Sequence, residues 1–353
     1  GEGLGSQMNS SRSDSSNFVI VAVSQVISIF VLFWMNQYLL NRLTPEQYAP
    51  YPVVLSAMAL LQLLEAFAAG GVARFVTEAQ ARDGEVAVRE TVSSALPVTV
   101  TAGLLVFALA SLLSLFLDDV FTLSPGSVGT TRVMLLLLAS NLALTLALLP
   151  FSVGLFVRRR FLAISVLSTG RDLLRAALII AFLLLLEPAV YLVVVATVTA
   201  ALFHLATNLL LSLRALPALR FSRRSIDPSV SRSLLGFGVW SMVGALVQRS
   251  RQIVDVFLLN RMATAADVSL FYVGTLPVQL QERVLASSLR VIQPTLIGLS
   301  AEGDRGALAR WMLSAGRYNL WIVLGPSLLM VLLARPFFEL YLDRSPQVPA
   351  AVL

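Results

Sequence analysis

One stretch decides the fold of this chain: SLLGFGVWSMVGALVQRSRQIVDVFLLNRM, residues Ser233–Met262. Its length and apolar character predict a membrane-spanning helix, yet Arg249, Arg251 and Asp255 lie in its second half. A charged side chain at the centre of a bilayer costs about 2.5–3.5 kcal/mol by insertion measurements. Three such charges would strongly oppose exposure to lipid, so we expect this helix to face other protein or a watery cavity.

The composition places the whole chain in the membrane class. Of the 353 residues, 57% are hydrophobic and only 13% are charged, whereas soluble globular proteins carry about 25% charged residues. Because backbone groups in lipid must bond internally, the recurring apolar runs predict an all-α polytopic membrane protein. The chain has no cysteine, which excludes disulfides, thiolate metal sites and cysteine nucleophiles.

Nine membrane spans are predicted after a Gly- and Ser-rich N-terminus, residues 1–17, that we expect to be disordered. Each predicted span is an apolar run long enough to cross a hydrocarbon core of about 30 Å. The nine spans cover Phe18–Leu40, Tyr51–Val72, Val92–Leu117, Val133–Val157, Leu162–Leu186, Ala189–Leu211, Ser233–Leu259, Val268–Ile292 and Trp311–Leu333.

The arginines of the predicted loops set the orientation. With the N-terminus in the cytoplasm, eighteen arginines fall on the cytoplasmic side and five on the other, leaving Arg249, Arg251 and Arg283 within spans. This bias follows the positive-inside rule and predicts a cytoplasmic N-terminus. The net charge of +6 therefore reflects membrane anchoring, and no nucleic-acid partner is expected.

A sequence repeat relates the two halves of the chain. The residues LLNR close the first span at Leu39–Arg42 and the seventh at Leu258–Arg261, an offset of 219 positions. Matching span order and loop lengths predict two six-helix lobes related by a parallel repeat. At the same offset Leu353 corresponds to Met134, so the second lobe is expected to be truncated after three helices and the start of a fourth.

The repeat also predicts the division into domains. We expect a disordered cytoplasmic N-terminus over residues 1–17 and an N-lobe of six helices over residues 18–211. A basic cytoplasmic linker is predicted over residues 212–232, and a partial C-lobe over residues 233–353.

Loop residues then resemble a known family. The segment NRLTPEQYAPYPV, Asn41–Val53, is similar to the first loop of polysaccharide-transport proteins, where a Leu-Gly-Pro-x-x-Tyr-Gly-x-Tyr pattern is common, although Thr44 and Ala49 replace the glycines. With further matching residues in order over Phe18–Asp343, the chain resembles the oligosaccharide flippase branch of the multidrug/oligosaccharidyl-lipid/polysaccharide (MOP) exporter superfamily. Those further residues are Gly70, Gly71, Arg74, Gly236, Phe237, Asp255, Tyr272, Pro294, Gly303 and Asp304.

The resemblance implies two lobes around a central cavity in the bacterial inner membrane. The implied function is alternating-access export of undecaprenyl-pyrophosphate-linked oligosaccharide for surface polysaccharide, with no enzymatic reaction and no cofactor. Its implied partners are the lipid-linked substrate and the bilayer, with a polysaccharide polymerase and chain-length proteins as further candidates. The coupling ion would be H⁺ or Na⁺.

The polar groups of the seventh and eighth spans are the candidate pyrophosphate ligands, because a guanidinium binds phosphate through two hydrogen bonds. At helical spacing, Gln248, Arg251 or Gln252, and Asp255 share one stripe, while Arg249 points about 100° away. The alternative is a structural pair of Arg251 with Asp255 and an Arg249 that snorkels to an interface. The residues predicted to bind the pyrophosphate are Arg249, Arg251, Arg283, Gln248 and Gln252.

Neutral and acidic groups supply the other candidates. Gln25, Ser28 and Asn36 of the first span, with Gln279 of the eighth, suit sugar hydroxyls, although polar contacts between helices are the alternative. The predicted ion or proton sites are Asp255, Glu282 and Glu65; an ion pair between Glu282 and an arginine such as Arg283 is the alternative for Glu282.

Two further groups lie in the fifth and sixth spans. Arg171 and Arg175, with Asp172, open the fifth span and are predicted at the cytoplasmic mouth, either receiving a diphosphate or anchoring the helix. His204 and Asn208, spaced i,i+4, could relay protons, but a lone histidine is more often a buried helix contact.

Three other functions stay open at this point. A cation-coupled multidrug exporter of the same superfamily should have acidic and aromatic cavity groups, which the arginines within spans disfavour. A lipid II flippase would share a cationic cavity. A membrane-embedded glycan polymerase or ligase usually needs a large periplasmic loop, and the longest one predicted, near Asp118–Arg132, is short.

Overall fold

The structure is a computed structural model of the chain. Among the residues it describes, side chains are given except those of residues 69, 70, 82, 248–262, 322, 326, 330, 331 and 333–342. The described residues are 27–28, 30–31, 34–35, 37–39, 42–43, 50–82, 84–117, 121, 126–158, 160–186, 188–262, 275, 278, 281–282, 285 and 305–342.

The regular structure of the described part is helical. One 3-10 turn, Arg223–Ser225, lies between α6 and α7. Short described pieces within residues 27–42 are helical as well. The α-helices are α1 Pro50–Arg82, α2 Gly84–Leu115, α3 Val128–Ser152, α4 Gly154–Val157, α5 Phe161–Leu185, α6 Val190–Ala215, α7 Pro228–Met262 and α8 Arg305–Leu342.

Five of the described helical segments are long and apolar enough to cross a membrane: α1, α2, α3 continued by α4, α6, and the first 20 residues of α7. This confirms the prediction of an all-α polytopic membrane protein. The first and eighth predicted spans fall mostly on residues outside the described part, so the total of nine spans stays a prediction.

Several helices are longer than their apolar runs predicted. Helix α1 continues past Val72 to Arg82, and α7 begins at Pro228 instead of Ser233. Polar residues at a span's end can continue the helix outside the lipid, and hydropathy alone does not detect this. As a result, the segment between α6 and α7 shortens to residues 216–227, about half of the predicted linker 212–232.

The chain forms two compact units, Gly1–Leu258 and Leu259–Leu353. In the first unit, α3 packs against α1, α2 and α6, and α5 packs against α6. Gly103 allows α2 to approach α3 closely, since a Cβ there would lie 2.6 Å from the Ala143 carbonyl oxygen. Small residues of this kind let helices pack at short distance in a membrane.

Two apolar clusters hold the first unit together. The larger one joins the start of α1 to the second half of α2, the middle of α3 and the start of α6, with Leu39, Val106 and Met134 fully buried. The smaller one, at the other end of the helices, joins Val72, Val92, Leu219 and Leu234. The segment after α6 and the first turns of α7 therefore belong to the core of the first unit.

A helix break between α3 and α4 is stabilised by α6. The Ser152 carbonyl accepts hydrogen bonds from Ser212 Oγ at 2.9 Å and from Asn208 Nδ2 at 3.3 Å. The Leu155 N–H donates to Ser212 Oγ at 3.3 Å. Asn208 thus bonds to the helix break, which favours a structural contact over the proton relay considered for it.

Two serines of α2 fix the segment between α6 and α7. Ser93 Oγ accepts the Ser222 N–H at 2.9 Å, and Ser94 Oγ accepts the Asp227 N–H at 2.8 Å. Ser231 Oγ donates to the Ser94 carbonyl at 2.9 Å. Ser93 and Ser94 are fully buried. We call residues 216–227 the clamped segment, because these bonds hold it against the first unit.

Asp227 caps the N-terminus of α7 and is expected to make its stability pH-dependent. Hydrogen bonds from the Ser229 N–H (2.7 Å) and the Ser229 hydroxyl (2.8 Å) lower the pKa of Asp227 below its ordinary value of 3.8. A depressed carboxyl pKa contributes stability above the unfolded-state pKa, and this is lost as the pH falls through the folded-state value. Thermal unfolding of wild type and Asp227→Asn, compared from pH 6 to pH 3, should show the wild-type advantage shrinking below about pH 4. An advantage that is constant over this range would contradict the role of the ionised cap.

Candidate functional site

The charged half of α7 lies on an unbroken helix. Helix α7 has 35 residues and ends at Met262, so it continues through Arg249, Arg251 and Asp255. At about 100° per residue, Gln248, Arg251 and Asp255 share a face and Arg249 lies apart from it. Their side chains, with that of Gln252, lie outside the described part, so their predicted contact with pyrophosphate stays a prediction.

A second set of charges lies in the interior of α5, where the side chains are described. Arg171 donates from Nε at 3.0 Å and from Nη2 at 2.8 Å to the same oxygen, Asp172 Oδ1. One turn later, Arg175 Nη2 donates to the Tyr51 hydroxyl of α1 at 3.0 Å. Two arginines and one carboxylate leave this part of the helix with a net positive charge.

The depth of these residues differs from the predicted opening position of the span. Helix α5 begins at Phe161, so at 1.5 Å per residue Arg171 lies about 15 Å and Arg175 about 21 Å along the axis. Tyr51 lies in the first turn of α1, the end of that helix opposite to Arg74 and Arg82. Arg175 therefore lies well inside the helix bundle rather than at its arginine-rich end.

Arg175 is a half-buried cation with an incomplete set of hydrogen bonds. Within the described part of the chain, its Nε is buried without a hydrogen-bond partner, although its Nη2 contacts Tyr51. Ionisable residues inside membrane helices usually mark substrate or ion pathways. A guanidinium with unused donors, aimed away from bulk water, is suited to an anionic ligand that arrives and leaves.

Polar residues from neighbouring helices extend this group. Ser28, predicted to face the glycan, lies 3.4 Å from Thr169 of α5, oxygen to oxygen. His204 of α6 lies close enough to Arg171 and Asp172 for their charges to act on it. We call Ser28, Tyr51, Thr169, Arg171, Asp172, Arg175 and His204 the α5 polar group.

Substituting Arg175 by methionine is expected to separate function from stability. Replacing buried charges by apolar residues of similar volume is often neutral or stabilising, so Arg175→Met should unfold at the same temperature as wild type or higher, yet lose export activity. Tyr51→Phe, which leaves the guanidinium without its described acceptor, should destabilise the protein by about 1–3 kcal/mol. Thermal unfolding and transport by the same preparations would test both expectations. Normal transport by a folded Arg175→Met variant would assign Arg175 a purely structural role.

The acidic candidates of the first unit have different surroundings. Glu65 lies half-buried in α1. Arg74 pairs with Glu78, Nε to Oε1 at 2.9 Å and at i,i+4 spacing, and stacks over the Phe237 ring of α7 at 4.9 Å. This agrees with the expectation that helical spacing does not suit a pair between Glu65 and Arg74. The role of Glu65 as an ion or proton site stays a prediction.

In the second unit, neighbouring residues of the eighth predicted span have different environments. Gln281 Nε2 donates to the Val323 carbonyl at 2.7 Å and to Ser327 Oγ at 2.6 Å, both on α8. Glu282, the next residue, is exposed. Gln281 thus binds a neighbouring helix, whereas Glu282 is directed elsewhere. The candidates Gln25, Asn36, Gln279 and Arg283 lie outside the described residues.

The contact between Arg175 and Tyr51 was not predicted from the sequence. The two residues are 124 positions apart, and helical periodicity relates only residues of one helix. Tyr51 attracted notice only as part of the loop pattern. Within the described ranges, no group of three or more His, Asp or Glu side chains could hold a metal ion.

Comparison with known proteins adds the following. A family model described as polysaccharide biosynthesis protein matches residues 15–299. No match was found among the sequences of curated proteins. Three solved structures have the same fold at low sequence identity.

The first is a MOP superfamily transporter from Pyrococcus furiosus, described as having a binding pocket of reverse polarity that suggests a different function. Its TM-score is 0.70 at 16% identity, over 92% of this chain and 73% of that one. An outward-facing multidrug resistance MATE family transporter of the MOP superfamily gives 0.72 at 15% identity, over 92% and 73%. The MATE multidrug transporter DinF-BH, solved in complex with a ligand, gives 0.66 at 15% identity, over 91% and 74%.

Proposed function

Because this chain belongs to the family of polysaccharide biosynthesis proteins and has the fold of MOP superfamily transporters, we propose that it exports undecaprenyl-pyrophosphate-linked oligosaccharide. The transport would cross the bacterial inner membrane by alternating access of two six-helix lobes, residues 18–211 and 233–353, with the N-terminus in the cytoplasm. A polysaccharide polymerase and chain-length proteins would act on the exported product.

The observation that carries the proposal is the sign of the charges inside two helices. Arg171 and Arg175 outnumber Asp172 within α5, and Arg249 and Arg251 outnumber Asp255 within α7. Each charge costs free energy in the membrane, so an excess of one sign indicates a ligand of the opposite sign. An anionic pyrophosphate meets this requirement, whereas a cationic drug would be repelled.

The proposed mechanism gives the candidate residues distinct roles. Arg249, Arg251 and Arg283, with Gln248 and Gln252, would bind the pyrophosphate through charge-assisted hydrogen bonds. Arg171 and Arg175 would form a second cationic surface along its path. The lipid tail would stay in the bilayer while the head group crosses between the lobes.

Neutral groups would carry the sugar, and carboxylates would carry the coupling ion. Gln25, Ser28, Asn36 and Gln279 would bind glycan hydroxyls. Asp255, Glu282 or Glu65 would bind H⁺ or Na⁺, because a charge that crosses 100 mV exchanges about 2.3 kcal/mol.

Transport by the purified full chain in liposomes would test the proposal. Three substrates would be compared: a pyrophosphate-linked oligosaccharide lipid, lipid II, and a cationic dye such as ethidium. We expect translocation of the oligosaccharide lipid, measured by its accessibility to a glycan-modifying enzyme on the far side, and no dye transport. Dye efflux without glycan translocation would establish the multidrug function instead, and faster movement of lipid II would assign the protein to peptidoglycan synthesis.

A further inference from the structure

A surface groove lies where α3, α6 and the clamped segment meet. It has a volume of about 420 Å³ and is lined by Phe151, Leu213, Pro217, Leu219, Arg220 and Phe221. Five of these six side chains are apolar, and the sixth is a guanidinium. None of these residues belongs to the α5 polar group or to the charged half of α7.

The walls of this groove are held in place without a ligand. Leu219 is 1% exposed and lies in the smaller apolar cluster. The chain turns tightly at this point, with the Leu219 N–H donating to the Leu216 carbonyl and the Arg220 N–H to the Ala218 carbonyl. Ser93 Oγ holds the next residues through the Ser222 N–H. The Phe221 side chain, in contrast, stays 48% exposed on the rim.

The surroundings of the groove are cationic. Arg220 is exposed at the groove itself, and Arg214, Arg223 and Arg224 are exposed or half-buried on either side of it in the sequence. Arg158 reaches the same place, because its Nε donates to the Ala215 carbonyl at 3.2 Å. Residues 188–226 contain four arginines and no acidic residue.

The level of the groove along the helices corresponds to a membrane surface. Helix α6 has 26 residues, about 39 Å of helix against a hydrocarbon core of about 30 Å. The groove begins at its last turn, where an apolar span gives way to Arg214 and the clamped segment. Side chains at this level meet lipid phosphates on one side and acyl chains on the other.

From this arrangement we propose that the groove binds an anionic phospholipid of the adjacent leaflet, of the phosphatidylglycerol type. The phosphate lies at Arg220, with Arg158, Arg214, Arg223 and Arg224 supplying the surrounding positive field. One acyl chain lies along Phe151, Leu213 and Phe221. Basic pockets between helices at a membrane surface bind anionic head groups in this way. The lining is mostly apolar, which favours a lipid over a free phosphate ester.

The inference is tested on the full chain purified in detergent, with lipid binding measured by native mass spectrometry. The probes are phosphatidylglycerol and phosphatidylcholine with identical acyl chains. Wild type should retain phosphatidylglycerol in preference to phosphatidylcholine. Arg220→Gln should weaken phosphatidylglycerol binding about fivefold, the effect expected for one surface arginine, and Arg220→Lys should largely keep the preference.

Two further variants separate a built groove from a general positive surface. Phe221→Ser should lower the retention of both lipids and leave the preference between them, because it shortens the apolar wall without changing charge. Arg305→Gln, at an exposed arginine of α8, should change neither. A fivefold loss with Arg305→Gln as well would show that only overall charge matters and would overturn the groove.

Competition identifies the source of the phosphate. Glycerol phosphate at millimolar concentration should not displace the lipid, and displacement would show a soluble phosphate site instead. Equal retention of the two lipids, or unchanged binding by Arg220→Gln, would also overturn the inference. Lipid retention is read without any transport, so its failure is distinguishable from failure of the proposed export.

Discussion

Substituting Arg249 and Arg251 together by alanine is expected to reduce export of pyrophosphate-linked oligosaccharide at least about a hundredfold. Each hydrogen bond to a charged group contributes about 1.5–3 kcal/mol, and a factor of ten corresponds to about 1.4 kcal/mol. Both arginines lie on the unbroken helix α7. Removing them lowers the cost of placing that helix in the membrane, so the loss of export should not arise from failed insertion.

The measurement combines surface glycan in cells with transport in liposomes, at equal amounts of folded protein. A matched control is the double substitution of Arg305 and Arg310 by alanine, at two exposed arginines of α8, which should leave export unchanged. Unaltered glycan export by the Arg249 and Arg251 variant would refute the assignment of these arginines to the pyrophosphate site. It would favour the structural alternative, a pair of Arg251 with Asp255.

Gly238→Ala is expected to lower the stability of the first unit by about 1–3 kcal/mol, the usual cost of overpacking. A Cβ at this position would lie 2.6 Å from the Phe67 carbonyl oxygen and 2.8 Å from the Phe67 ring. Backbone atoms cannot move aside cheaply, so α7 would have to shift away from α1. The nearby contacts of Gly71 with Leu234, and of Arg74 with Phe237, would loosen with it.

Gly236, two residues earlier on the same helix, is the natural control. A Cβ there would meet no atom within 4 Å, and alanine is favoured over glycine in a helix by about 1 kcal/mol. Gly236→Ala should therefore be neutral or slightly stabilising in a thermal unfolding series in detergent. Equal melting temperatures for the two variants would contradict the close packing of α7 on α1.

The sequence predicted the helix α7 well, because its apolar run and its cap are local signals. Hydropathy identified the span from Ser233, and Asp227 with Pro228 marks the start of the helix five residues earlier. The family was also predicted, from loop residues such as Pro45 and Tyr48, and the matching family model confirms it. Local periodicity and residue order are sufficient for both results.

The depth and partners of the α5 charges were not predicted, for a physical reason. The apolar run alone did not indicate how far α5 extends before Arg171, and the helix in fact begins ten residues earlier, at Phe161. The partner of Arg175 lies on another helix, and helical periodicity shows which residues share a face but not what covers that face. The clamped segment was missed similarly, because Ser93 and Ser94 lie well over a hundred positions away from the residues they bind.

The burial of Leu234 has a consequence for how this protein is made. The smaller apolar cluster of the first unit needs Leu219 and Leu234 as well as Val72 and Val92. A ribosome that has released only residues 18–211 has therefore not yet supplied the side chains that close this core. Translation must continue into the segment that the repeat assigns to the other lobe before the first unit is complete. During synthesis, the insertion of α7 is thus the last step in the maturation of the helices that precede it.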